Sequence, residues 1–428
     1  MTVADRTTQR VPLSRRKRLF FPLLVVIFVY GILEIVSAAV LWVEGGRVES
    51  PVVSRYGPIA GGPQGNPLPN HLAVLSLHPY LGYVYDRDSN AGFSDHGFTS
   101  ETVYPQMDDA LIVGIFGGSV ADQLFVKRQT LENELEKIPE LGQKAILFVN
   151  LAIGGFKQPQ QLMALTYMLS LGGHFDVVIN VDGFNEVTLP VNENLPNHVF
   201  PFFPRQWQQL TMNTVDPNYA VLIGKIALLQ RVQAKVAYLS STFPLRYSAT
   251  VRLAALLFRR GSEARLSRWR LVLQHTHGDE KGLRYAQRGP NYVTSSDDQT
   301  FRDLAEMWAQ GSLQMKRLCD ANGIRYFHFL QPNQYLVGMK PMSEEERRVA
   351  YREDQPYRSG VIGGYPFLQE KGKELSAHGV RFFDLTQIFA SHPEPVYGDS
   401  CCHFNDHGLE ILNTFIGETV VSGWQQKE

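Results

Sequence analysis

Charge-free runs, separated by charged segments with helical spacing, set the pattern of this chain. Leu111–Phe116 is apolar and largely β-branched, and Gly117, Gly118 and Ser119 follow it. A run of that type predicts a strand buried on both faces of a parallel sheet. Further apolar runs recur at 145–149, 177–181, 324–330 and 380–385, the third interrupted by Arg325 and the fourth by Arg381 and Asp384. Between them, apolar positions at helical spacing predict helices over 129–138, 159–171, 300–321 and 361–378. A charged helix at 343–352 opens with Ser-Glu-Glu-Glu, a capping-box pattern, and a last helix spans 409–421. Strands alternating with helices predict an α/β fold: a three-layer α/β/α domain with a parallel sheet of about five strands in flavodoxin-like order.

Residues 188–296 interrupt that alternation. They hold no clear buried strand. An aromatic, proline-rich stretch, Val199–Pro204, leads into helical stretches near 221–240, 249–260 and 262–275. Between Arg246 and Arg270, seven arginines face a single acid, Glu263. Two readings stay open for this insertion. It is either a solvated helical pair over the core, or a basic amphipathic surface against anionic lipid or an acidic substrate.

The amino terminus follows a different rule. Leu19–Val43 is almost uninterrupted in its apolar character, long enough for the roughly 20 residues a bilayer needs. Six basic residues precede it against one acid, Asp5. Basic flanks stay in the cytoplasm, which predicts a single-pass cell-membrane protein with an extracytoplasmic domain. A cleavable signal peptide is the alternative, but its apolar region would be shorter. Glu34 lies inside the span, where a carboxylate is costly unless it is protonated, reaches the surface or meets a partner helix. Residues 44–75 are rich in Gly and Pro and predict a linker. The expected organisation is a cytoplasmic basic tail (1–18), a membrane anchor (19–43), the linker, and one domain over 76–428 that carries the insertion. Stretches 78–83 and 90–98 predict ordered loops or short edge strands.

Composition narrows the partners. Of 428 residues, 44% are hydrophobic and 19% charged, which predicts a packed core rather than disorder. A net charge of -1 gives no reason to expect nucleic acid as a partner. Three cysteines, Cys319, Cys401 and Cys402, make no disulfide framework.

Four short stretches each fall just past an expected strand: Ser119, Asn150–Gly155, Asp182–Asn185 and Asp399–Gly408. In a doubly wound sheet such loops converge on one edge. Their residue types fit acyl transfer. A serine hydroxyl needs a base, and histidine suits that near neutral pH. A carboxylate beside the base orients it and stabilises its cation. The expected catalytic residues are therefore Ser119, His403 and Asp399. The backbone N–H groups of Ser119 and Gly155 and the side-chain amide of Asn185 are the expected donors to an oxyanion. Gln331 and Asn333, at the end of a strand, are candidates for lining a substrate cleft, or for a plain turn. His403 and His407, beside Cys401 and Cys402, have the look of a metal cluster, but no second pair of ligands accompanies them and no metal is expected.

The ordered set Gly-Gly-Ser119, Gly155, Gly183-Phe-Asn185 and Asp399…His403 resembles the SGNH (GDSL-type) hydrolase superfamily. Its four name-giving residues would be Ser119, Gly155, Asn185 and His403. The match covers about residues 109–187 and 324–421, in order-of-motif terms. Two departures stand out: Gly-Gly-Ser-Val replaces Gly-Asp-Ser-Leu, and Asp399-Ser-Cys-Cys-His403 is one residue longer than the usual Asp-x-x-His. The resemblance implies a serine esterase that needs no cofactor. With the anchor, it points to O-acyl groups on envelope or secreted polysaccharide, or to lipid esters, as substrates. Three alternatives use the same features: an O-acyltransferase, a non-catalytic carbohydrate-binding domain, and a scaffold subunit whose Glu34 contacts a partner membrane protein.

Overall fold

The computed structural model describes residues 15–45, 74–89, 92–100, 110–142, 144–211, 217–275 and 285–425. The expected linker lies almost wholly outside the described residues, as does most of the expected tail. The chain divides into two compact units. The larger holds residues 68–220 and 275–428, and the smaller holds the N-terminal helix and residues 221–274. The expected insertion is thus shared: 188–220 and 275–296 belong to the larger unit.

In the larger unit, strands β1 (Leu75–His78) and β2 (Gly82–Tyr85) form an antiparallel hairpin. It is a sheet of its own rather than an edge of the main one, and its turn falls within the stretch 78–83, where an ordered loop or short edge strand is expected. Five parallel strands then build the main sheet: β3 (Ala110–Gly117), β4 (Ala145–Asn150), β5 (Val177–Asp182), β6 (Arg325–Leu330) and β7 (Arg381–Asp384). Their order is β4-β3-β5-β6-β7. This is the flavodoxin-like order, and its switch point falls between β3 and β5.

The period of two splits β3 between two cores. Leu111, Val113 and Ile115 pack with helices α2 (Ser119–Val126), α3 (Gln129–Leu135) and the final helix, Asp406–Gln425. Ile112 and Phe116 pack on the opposite face, against α4 (Gln160–Ser170) and helices Asp297–Ala321 and Arg358–Ala377. Every residue of β3 and β5 is buried, as a central strand requires. Each buried Ile, Leu or Phe contributes on the order of 1.5–3 kcal/mol.

Several helices depart from the expected bounds. Helix α2 is eight residues long and was masked in the sequence by the glycines before it. Two further short helices follow β5 and the aromatic stretch: α5 (Phe184–Leu189) and α6 (Trp207–Thr211). In the smaller unit, α7 (Pro217–Ser241) precedes α8 (Ala249–His275), which is one continuous helix rather than two. Gly261 does not break it, because one glycine inside a helix costs only about 1 kcal/mol. Helix α9 (Tyr285–Arg288) returns the chain to the larger unit, and α10 (Asp297–Ala321) is capped by the Ser296 hydroxyl, which accepts from Gln299 N at 3.2 Å. Ser343 caps α11 (Glu344–Ala350) by accepting from Glu346 N at 3.1 Å. The reciprocal half of the capping box is missing. The Glu346 carboxylate instead accepts from Val396 N (2.8 Å) and Tyr397 N (3.0 Å) and pairs with Lys340. Helices α12 (Arg358–Ala377) and α13 (Asp406–Gln425) complete the larger unit.

The N-terminal helix α1 (Arg15–Gly45) contains one apolar span, Leu23–Val43, of 21 residues and mean hydropathy 2.6. It is long enough to cross a bilayer. The sequence leaves Glu34 open to protonation, to reaching the surface or to a partner helix. Its carboxylate accepts from Ala249 N at 2.7 Å, Thr250 N at 3.3 Å and the Ser248 hydroxyl, all of this same chain. Helices α7 and α8 are tied by Gln233, whose amide donates to Ser262 Oγ at 2.6 Å.

Candidate active site

Ser119 is the first residue of α2, immediately after β3. Its Oγ lies 2.8 Å from His403 Nε2. On the other side of the ring, His403 Nδ1 lies 2.6 Å from Asp399 Oδ2. A carboxylate only accepts, so the proton sits on Nδ1. That tautomer leaves Nε2 of the neutral ring to accept from the serine hydroxyl. The side chains of His403 and Asp399 are 29% and 43% exposed, which leaves room for a reacting molecule.

The longer Asp–His spacing is absorbed by the turn itself. Asp399 Oδ1 accepts from three backbone N–H groups, those of Cys401 (2.8 Å), Cys402 (3.1 Å) and His403 (3.2 Å). The added residue therefore wraps around the carboxylate instead of pushing it away from the imidazole. Burial works against charge on Asp399, but the His403 contact and these N–H groups outweigh it and hold its carboxyl below the usual range. Burial likewise disfavours the His403 cation. The hydrogen bond and charge of Asp399 outweigh it and raise the imidazole above its ordinary value.

The loop after β4 runs beside the serine. Leu151 N donates to Ile115 O (2.8 Å) and Ile153 N to Gly117 O (3.3 Å), which extends the strand pairing past β4. Asn150 fastens this loop to α2 by donating to Asp122 Oδ1 at 2.7 Å. Gly155 adopts φ +85°, and a Cβ there would stand 2.0 Å from Arg205 Cδ. Only glycine fits that position. Asn185, in the first turn of α5, reaches the same place and donates to Phe156 O at 2.8 Å. A Cβ on Gly118 would meet the Asn185 amide nitrogen at 2.2 Å, so that glycine admits the amide next to Ser119. Ser119, Gly155, Asn185, Asp399 and His403 thus come together at the carboxyl ends of the strands.

Gln331 and Asn333 do not line a cleft. Both are buried, Asn333 completely. Asn333 donates to Cys401 O at 3.2 Å and accepts from Tyr335 N at 3.0 Å. Its neighbours act alike: Gln334 donates to Asp399 O (3.0 Å) and Tyr335 OH to Ser400 O (2.7 Å). The loop after β6 is a clamp on residues 399–401. Burial removes it from contact with a bound molecule. His403 and His407 do not form a pair either, since both ring nitrogens of His403 are engaged. His407 instead lies with His392 and Glu394, their ligand atoms within 4.8 Å of one another. All three cysteines are free, with the sulfurs of Cys401 and Cys402 3.3 Å apart.

Sequence reading missed Arg205. Its guanidinium makes a two-pronged pair with Glu193 (2.5 and 3.1 Å), and Tyr357 OH donates to the same carboxylate at 2.8 Å. The pair stands twelve positions apart with no hydrophobic periodicity between; the glycine at 155 was the one signal that something packs there. A second Ser–His–Asp series also escaped notice. Ser312 Oγ lies 2.8 Å from His328 Nδ1, and His328 Nε2 lies 2.8 Å from Asp182 Oδ1, which also accepts from Trp308 Nε1 at 2.6 Å. The His328 and Asp182 side chains are 0% and 1% exposed, so this series serves the core.

No family model and no curated protein matches the sequence. Among solved structures, the chain is similar to an acetyl xylan esterase, AlAXEase, with TM-score 0.33 and 11% identity over 73% of this chain and 99% of that one. It is similar to a lipase/acylhydrolase from Enterococcus faecalis, with TM-score 0.33 and 10% identity over 74% and 99%. A GDSL-like lipase from Bacteroides thetaiotaomicron gives TM-score 0.34 and 9% identity over 76% and 93%.

Proposed function

We propose that the chain is a membrane-anchored serine esterase of the SGNH (GDSL-type) class that cleaves O-acyl esters outside the cytoplasm. The observation that carries this reading is the continuous series Ser119 Oγ, His403 and Asp399, at 2.8 and 2.6 Å. Ser119 gives its proton to His403 Nε2 as its oxygen bonds to the acyl carbon. The carbonyl oxygen becomes an oxyanion, held by the N–H groups of Ser119 and Gly155 and by the Asn185 amide. The intermediate collapses, the C–O bond breaks, and His403 returns the proton to the leaving alcohol. Water then gives a proton to His403 Nε2 as its oxygen bonds to the acyl carbon; the bond from that carbon to Ser119 Oγ breaks, His403 returns the proton to Oγ, and the acid leaves. Asp399 fixes the ring tautomer and stabilises its cation throughout.

The apolar span and its basic flank support an anchor with the catalytic domain extracytoplasmic. That placement favours acylated envelope or secreted carbohydrate, or lipid ester, as substrate. Hydrolysis of p-nitrophenyl acetate by the purified full-length chain tests the reading. Ser119→Ala should lower kcat by about 10³-fold or more. Equal turnover by wild type and variant would remove Ser119 from the mechanism.

A further inference from the structure

We infer that the tip of the α7–α8 hairpin enters the lipid bilayer beside α1, so that the protein meets the membrane through a re-entrant hairpin as well as through its anchor. The inference rests on reading α1 as that anchor. Glu34 is the twelfth residue of the 21-residue span Leu23–Val43, which sets it near mid-depth. Its carboxylate accepts the first backbone N–H groups of α8, from Ala249 and Thr250. Tyr30, one turn deeper along α1, donates to Ser248 Oγ at 3.0 Å. These contacts fix the start of α8 at the level of Glu34. Ser37, one turn further along α1, is buried, so small and polar residues of the span face the packed side.

The composition of the hairpin agrees with that depth. Residues 236–258 carry only two charges, Arg246 at the tip and Arg252, and the Arg246 guanidinium lies over the Tyr247 ring, 4.6 Å from its centre. Phe243, Tyr247 and Tyr238 are 77%, 69% and 68% exposed, which is costly in water and favourable in lipid. Ten residues of helix rise about 15 Å. That is about half of a ~30 Å hydrocarbon core. Counting from Ala249, Arg259 and Arg260 reach the headgroup level, and Arg265, Arg268 and Arg270 lie beyond it. Five of the seven arginines between 246 and 270 therefore fall where anionic headgroups would receive them. Both ends of the hairpin are joined in sequence to the larger unit, as a re-entrant segment requires. Non-helical backbone at this depth is tolerated where protein satisfies it, and Glu34 does so at the N-terminus of α8.

The test uses the full-length chain in phosphatidylcholine–phosphatidylglycerol vesicles with a fluorophore on one introduced cysteine. Phe243→Cys reports the tip, Ile35→Cys the anchor, and Val293→Cys, at a site 90% exposed in the larger unit, reports water. The labelled unsubstituted chain sets the background from Cys401. Acyl-chain nitroxide lipids should quench the labels at 243 and 35 several-fold more than the label at 293, and iodide should do the reverse. If position 35 answers to nitroxide while 243 answers to iodide as 293 does, the hairpin inference is overturned and the anchor stands. If 35 also answers to iodide, the anchor reading falls and the hairpin with it.

Discussion

The chemistry turns on how one imidazole is held. In the proposed mechanism His403 acts as a base only when neutral, so activity should rise with pH through the imidazole pKa, which Asp399 raises. In Asp399→Asn the charge is gone and burial is left to lower that pKa. The acidic limb of the kcat/KM profile should therefore move to lower pH. The variant should also lose about 10⁴-fold in kcat, because the amide no longer enforces the productive tautomer. Stopped-flow or steady-state profiles from pH 5 to 9 read both effects, and an unmoved limb would separate Asp399 from His403. Asn185 is the other residue whose removal is informative. Its amide stands against Gly118 and holds Phe156 O. Asn185→Ala should lower kcat by about 10²–10³-fold with a smaller change in KM, the mark of a donor that acts on the transition state.

At the scale of elements, the strands were legible and the parts that aim the side chains were not. The central strands β3 and β5 show in the sequence because they are fully buried and rich in β-branched residues, whereas β4, β6 and β7 show as aliphatic or aromatic runs, less buried toward the sheet edges. Helix α2 is too short to show a periodic face. The clamp formed by residues 333–335 looked like a turn because its side chains are polar, although burial against the 399–401 carbonyls is what keeps them polar. Its importance is measurable. Tyr335 OH donates to Ser400 O and accepts from Arg352 N at 3.3 Å. Tyr335→Phe leaves both without that partner. It should cost about 1–3 kcal/mol of stability by denaturant unfolding, and kcat should fall as the Asp399–His403 turn loosens. A variant with wild-type stability and turnover would show that the turn holds itself.

Across the whole molecule, motif order carried more information than any single motif. Ser119 and His403 are 284 residues apart in sequence, and only the sheet order brings them together. That order follows from the alternation of strands and helices, so the meeting of Ser119, Gly155, Asn185 and His403 was readable. The Arg205–Glu193 pair was not, because it comes from irregular chain after β5. Nor was the internal partner of Glu34, since contacts between helices in the smaller unit have no signature beyond a charge in an apolar span.

The most direct test of the central claim is covalent. The full-length protein is treated with a fluorophosphonate, and the modified peptide is located by mass spectrometry. A single adduct on Ser119, absent from Ser119→Ala and formed far more slowly in His403→Ala, is the result expected. A folded wild-type chain that stays unmodified at Ser119, or reacts there as fast without His403, would contradict it.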